Sequence, residues 1–335
     1  MLSLLALLVS VGLTPQPSTI WTSSALFVQD SSRGSLWAIS TGGFASHVSK
    51  SDLVCKGECH LLSVCLSEDR QASLAKCICP HPLRECLSVV SRTGRRNSWS
   101  LGPEEAAFWI AGTDALVTGQ ASKVVDPFSG KQVPTPRNIK SNMLTELSSS
   151  DEARKVVSKA SPSFVVSQGF RADRKGTVRV VDVGSGSGTV ISSGTIIGSL
   201  LRSFDQRFVS FYCDGKLMCY DANTNLTKVA GHPMLTTWSW LPSTAVLAFA
   251  VKSDDDKSTK ICLFDAISGD NLEIPCPAGY VWGVSGLSPN ALVILWSSKV
   301  GGPMKLRAYE LGAKHWRDIP LELGTKSYLV PVEGL

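Results

Sequence analysis

Short apolar runs interrupted by polar turns fill this chain, and the runs have the length and alternation of strands rather than helices. The plainest copy is VWGVSG-LSPN-ALVILW, in which Pro289 and Asn290 set a turn between two apolar runs. A second phrase recurs seven times: an apolar stretch, an acidic residue or serine, a turn of small residues, then another apolar stretch. Its copies are LWAIS-TGG, LSVVS-RTG, KVVD-PFSG, VRVVD-VGSGSG, LMCYD-ANTN, ICLFD-AISG and LRAYE-LGAK. Their polar landmarks are Ser40, Ser91, Asp126, Asp182, Asp221, Asp265 and Glu310. The 270 residues from Ser40 to Glu310 divide into six intervals averaging 45. That is close to the roughly 40–45 residues of a four-stranded repeat unit.

Each unit therefore predicts strand A, turn, strand B, loop, strand C, turn, strand D. The A–B turns are SEDR at Ser67, AGTD ending at Asp114, SSSDE at Ser148, SFDQR at Ser203, LPST at Leu241 and LSPN at Leu287. The first unit lacks strand A, since it opens directly on ALFVQD and LWAIS. After the seventh unit a stretch is left over, SYLVPVEGL from Ser327. The leftover strand is expected to complete the first unit and to cover both sheet edges. Helix signals are confined to Glu146–Ala160, which also fits a long A–B connection.

The phrase SPN-ALVIL … LRAYE-LG and its relatives resemble the blades of TolB-type and WD-repeat β-propellers, over nearly all of the chain after its first residues. The resemblance implies an all-β, seven-bladed β-propeller of four-stranded antiparallel blades, closed by the C-terminal strand. Six blades is the alternative, should the irregular segment around 50–90 not be a blade. No Gly-His opens the blades, and Trp-Asp gives way to Val-Asp, Tyr-Asp, Phe-Asp and Tyr-Glu. The resemblance is one of architecture.

With 335 residues, 43% of them hydrophobic and 18% charged, the chain can bury a large core. Its net charge of +5 is modest, and no Lys/Arg block interleaves with aromatics, so no nucleic acid partner is expected. Arg92, Arg95 and Arg96 share one repeat turn and read as a solvated loop. Leu2–Leu13 has the length of a signal-peptide apolar region and is too short to span a bilayer. Residues 1–18 are accordingly expected to be a leader and 19–335 a single domain, secreted or periplasmic at the cell envelope. No membrane span is expected in the mature chain, and a monomer is expected.

Ten cysteines in local pairs suit an oxidising compartment. Cys262 and Cys276 are equidistant from Gly269, Cys213 and Cys219 flank one turn, and Cys79 and Cys86 flank another. The remaining expected pairs are Cys65 with Cys77 and Cys55 with Cys59. Within 55–86, Cys55, Cys59, His60, Cys77, Cys79, His81 and Cys86 offer a competing set of zinc ligands, but no C-x-x-C pair occurs. The run Cys55–His60 is one residue too long for haem attachment. The six-cysteine order is also that of an EGF-like module, although its glycines are missing. A disulfide-stapled second unit, with no metal, is the expectation.

VRVVDVGSGSG at Val178–Gly188 matches the D-x-G-x-G-x-G loop that binds S-adenosylmethionine. That chemistry needs a helix next, whereas TVISSGTIIGS follows, which is rich in β-branched residues and glycine. A repeat turn is expected, and no cofactor. No G-x-S-x-G elbow is present, and the five histidines are scattered. Trp238 and Trp240 share one face of a strand A, with Trp282 and Trp109 at matching places in other units. They are either inter-blade core or an aromatic floor for a ligand at the central mouth. The function expected is a non-enzymatic scaffold for a protein, peptide or glycan partner. The alternative is a propeller enzyme, a glycan or ester hydrolase or lyase, with its residues on loops at the channel.

Overall fold

The computed structural model describes residues 17–49, 59–67, 69–80, 83–101, 108–109, 116–118, 123–135, 153–156, 164–170, 175–182, 185–233, 237–252 and 259–333. Most of the leader and Cys55 therefore lie outside the described residues. Among the described residues one short helix, α1 (Pro17–Ser23), straddles the expected boundary at residue 18. Its Trp21 is fully buried and stacks on Phe27 at 4.7 Å.

The strands follow in antiparallel sheets. β1 (Leu26–Asp30), β2 (Ser35–Ile39) and β3 (Ala45–Val48) form three strands of the first. β4 (His60–Leu66), β5 (Ala72–Pro80), β6 (Leu83–Ser91) and β7 (Arg96–Leu101) form the second, so the cysteine-rich segment does hold a four-stranded unit. β8 (Phe108–Trp109), β9 (Leu116–Thr118) and β10 (Lys123–Val125) form the third. β11 (Ala153–Val156), β12 (Phe164–Phe170) and β13 (Lys175–Asp182) pair in series with the first part of β14 (Gly188–Arg202). The second part of β14 pairs instead with β15 (Phe208–Cys213), followed by β16 (Lys216–Asp221) and β17 (Leu226–Gly231). Gly194 marks the change of partner: its φ is 153°, and a side chain there would overlap the Asp214 carboxylate. β18 (Trp238–Trp240), β19 (Val246–Lys252), β20 (Thr259–Asp265) and β21 (Asn271–Pro275) make one four-stranded sheet. β22 (Tyr280–Ser288), β23 (Ala291–Ser297), β24 (Lys305–Glu310) and β25 (His315–Ile319) make another. The helix signal at Glu146–Ala160 yields a strand where it is described, at β11.

The leftover segment is β26 (Ser327–Glu333). It pairs antiparallel with β1 from Leu26↔Pro331 to Asp30↔Ser327, supplying the fourth strand of the first sheet. It also touches β4 in parallel at Val332↔Val64.

The seven landmarks close the C–D hairpins. The Asp265 carboxylate accepts the N–H groups of Ile267 and Ser268 at 2.8 and 3.1 Å, and the N–H of Gly269 donates to the Asp265 carbonyl at 2.7 Å. Asp126 and Asp182 are built alike. Ser40 and Ser91 use the hydroxyl instead, accepting the N–H of Phe44 and of Arg95. A short polar side chain at this position takes up turn donors that the ladder leaves over. The glycine loop at Asp182 is thus a hairpin turn between β13 and β14, as the repeat register requires.

The core lies between neighbouring sheets. Leu26 and Val28 pack with Val293, Leu295 and Leu306. Phe27 and Val330 pack with Val64, Cys77 and Trp21. Trp238, Trp240 and Phe249 pack with Phe208 and Leu217. Ala248 and Ile261 pack with Val284, Leu292 and Ile294. Gln29, buried in β1, stitches across to β4: its carbonyl accepts the Leu61 N–H at 2.8 Å and its amide donates to the Cys59 carbonyl at 3.2 Å.

Candidate functional site

Two A–B turns share one construction. The Ser67 hydroxyl accepts the Ala72 N–H at 3.0 Å and donates to Asp69 at 2.6 Å, and Asp69 takes the Gln71 N–H. The Ser203 hydroxyl likewise accepts the Phe208 N–H at 3.0 Å and donates to Asp205, which takes the Arg207 N–H. Arg70 and Gln206 hold left-handed φ values of 56° and 62° at equivalent places. These turns fix the ends of β4 and β14, and the Arg70 guanidinium lies over the Phe204 ring at 5.6 Å.

Beside them the first strands of several sheets converge on a pocket. Its wall includes Leu201 and Arg202 at the end of β14, Ser239 and Trp240 of β18, Gly286 of β22 and Glu333 of β26. Phe204 and Pro242 add apolar surface. Its hollow measures about 30 Å³, room for on the order of two waters, and opens to solvent. The wall is rigid. The Trp240 indole donates to the Leu201 carbonyl at 3.2 Å, and the Ser239 hydroxyl accepts the Gly286 N–H at 3.2 Å. Gly286 is required there, because a Cβ would stand 2.5 Å from the Trp240 carbonyl oxygen and 2.9 Å from Leu241 Cα.

Arg202 supplies the chemistry. It is only 7% exposed, and its Nη2 donates to the Gln206 carbonyl. Burial pulls its pKa down to about 10, against the opposing charges of Glu333, Cys65 and Asp205. The guanidinium therefore stays cationic at neutral pH. A fixed cation of this kind binds an anion or polarises an oxygen and does not shuttle protons.

Of the expected ligand aromatics, Trp240 lines this pocket. Trp238 is buried between sheets, stacked on Tyr212 with its indole on the Ser210 hydroxyl at 3.1 Å. Trp109 is buried against the second sheet, with its indole on the Cys65 carbonyl. Trp282 is 37% exposed, and its indole donates to Ser297 at 2.8 Å.

The cysteines pair differently from the local scheme. A disulfide joins Cys59 to Cys79, which displaces both Cys79–Cys86 and Cys55–Cys59. The Cys86 sulfur lies 3.5 Å from that of Cys79, and Cys77, not Cys79, is the register partner of Cys86. Cys262 faces Glu273, because the turn is centred between Ile267 and Ser268 and not on Gly269. Cys213 faces Lys216 while Cys219 faces Ser210, and Cys65 faces Leu74 while Cys77 faces Leu61. Burial pushes the Cys219 and Cys276 thiols up to about 12 and Cys262 to about 11. Among the described residues, no group of three or more His, Cys, Asp or Glu side chains is arranged to hold a metal ion.

Arg202 and Glu333 were not expected. Arg202 sits beside the polar SFDQR turn and Glu333 in the leftover strand expected to complete the first unit, and neither residue was singled out. The recurring Ser-x-Asp turn was the available signal for where a strand A ends.

No family model matches the chain, and no curated protein matches it. Among solved structures, an oligogalacturonate lyase bound to manganese is similar at TM-score 0.52 and 13% identity, over 86% of this chain and 82% of that one. One of two prolyl endopeptidases is similar at TM-score 0.53 and 9% identity, over 94% of this chain and 52% of that one. TolB from Acinetobacter baumannii is similar at TM-score 0.47 and 13% identity, over 75% of this chain and 63% of that one, and that score carries no argument. The chain thus spans less than two thirds of the endopeptidase and of TolB. At these identities the two likenesses above 0.5 speak to fold alone. Together with sheets of four antiparallel strands, they show the β-propeller architecture to which TolB-type and WD-repeat chains belong.

Proposed function

We propose that this chain is an exported, non-enzymatic seven-bladed β-propeller. It is closed by β26 and presents the pocket at its inner strands to a partner. Closure is supported by the β26–β1 ladder and by the shared core of the first and last sheets. Export is supported by the Cys59–Cys79 disulfide and the apolar N-terminal stretch. The observation that carries the binding role is the pocket wall. One buried guanidinium and one carboxylate stand among indole, proline and immobilised backbone, a wall suited to holding a charged group in place. The test is to incubate the secreted protein with polygalacturonate, neutral glycans, prolyl peptides and aryl esters. Turnover of any of them by freshly purified protein would overturn the reading. No turnover of any of them is the expected result.

A further inference from the structure

Resting on that scaffold reading, we infer that the pocket is an acidic-peptide site. Arg202 anchors the side-chain carboxylate of a partner's Asp or Glu, and Glu333 of the chain's own last strand holds that place until the partner displaces it.

The first support is geometric. Arg202 and Glu333 line the same small cavity, one from the end of β14 and the other from the end of β26. The hollow measures about 30 Å³ and opens to solvent, with room for a carboxylate group. The second is the mixture of surfaces. Phe204, 39% exposed, and Pro242 flank the cation with apolar surface, which suits the methylene stem of an acidic side chain. A sugar acid would need several further donors and acceptors for its hydroxyls. Of the polar groups in this wall, the Ser239 hydroxyl is already engaged with the Trp240 carbonyl and the Gly286 N–H. The third is the anchor itself. A guanidinium held in a fixed fork is the side chain best matched to a carboxylate, and its burial strengthens the pair.

Glu333 makes the site self-occupied. An internal anion reduces the apparent affinity by the fraction of time it holds the site, so removing it should tighten binding about tenfold if it is in place nine-tenths of the time. The probes are acetyl-Ala-Glu-Ala-amide, the matching Gln peptide and free galacturonate, titrated by NMR at low and high salt. The Glu peptide should bind, more weakly as salt rises. The Gln peptide and galacturonate should not compete with it, and Glu333→Gln should bind it about tenfold tighter. Arg202→Gln should lose binding. Should that variant fail to fold, the Glu333→Gln comparison decides alone. Equal binding of the Glu and Gln peptides, tighter binding of galacturonate, no change on Glu333→Gln, or no binding to either protein would each overturn the inference. None of these results bears on the scaffold reading, which only substrate turnover defeats.

Discussion

The carboxylate of Asp30 accepts the backbone N–H of Gly324 at 2.6 Å, although 294 residues separate the two. Asp30 is fully buried at the end of β1, and Gly324 lies three residues before the start of β26. The same carboxylate takes the Ser32 and Arg33 N–H groups at 3.0 and 3.2 Å and the Ser32 hydroxyl at 2.6 Å. Burial works to raise its pKa, but the Ser32 hydroxyl and the three N–H groups outweigh it and the net shift is downward. Asp30→Asn brings an amide donor among four donors and should cost about 1–3 kcal/mol. A urea unfolding midpoint unchanged at pH 7 would show that the last strand is held without this residue.

Asp221 and Arg207 form a two-bond pair, Nε to Oδ1 at 2.8 Å and Nη2 to Oδ2 at 2.7 Å. The Arg207 hydrogen bond is the largest cause that brings Asp221 from 3.8 down to about 2. The folded value lies below the unfolded one, so the stabilisation is complete above about pH 4 and is lost as pH falls through 2. Asp221→Asn should lower stability at pH 7 and flatten its fall between pH 4 and 2. Parallel acid-unfolding curves for both proteins would contradict this.

Gly286→Ala forces a methyl into the Trp240 carbonyl and the Pro242 ring, where backbone meets backbone and little can give. A loss of roughly 1–3 kcal/mol is expected, as for overpacked cores. Differential scanning calorimetry reads it directly, and an unchanged melting temperature would mean that β18 and β22 are further apart than described.

Non-reducing peptide mapping should recover Cys59 linked to Cys79, with Cys262 and Cys276 not linked to each other. The separation of 20 between Cys59 and Cys79 gives their bond a worth of about 3 kcal/mol, the expected cost of Cys59→Ser. Cys219, Cys262 and Cys276 have thiols raised by burial, so iodoacetamide at neutral pH should label them only after unfolding. Fast labelling of the native protein would count against the packing described.

The hairpins were legible because a polar landmark and a glycine or small residue each leave a local mark that needs no distant partner. The leftover Ser327 strand could be assigned to the first sheet because an absent strand and a surplus one have a single arrangement that pairs both. Disulfide partners depend on register, and register depends on where a turn is centred. An error of one and a half residues at Gly269 was enough to move Cys276 away from Cys262. Arg202 was hidden for a related reason. Its burial comes from the convergence of strands far apart in sequence, while its neighbours Ser203 and Asp205 look like an ordinary solvated turn.

β14 is one strand that pairs with β13 up to Thr195 and with β15 from Ile196, so two repeat units share one backbone where the partner changes. Under a pulling force, or in hydrogen exchange, opening either unit at that seam pulls on the strand that the other unit pairs with. The two units that share β14 are therefore coupled as mechanical parts, and strain in one is carried directly into the other.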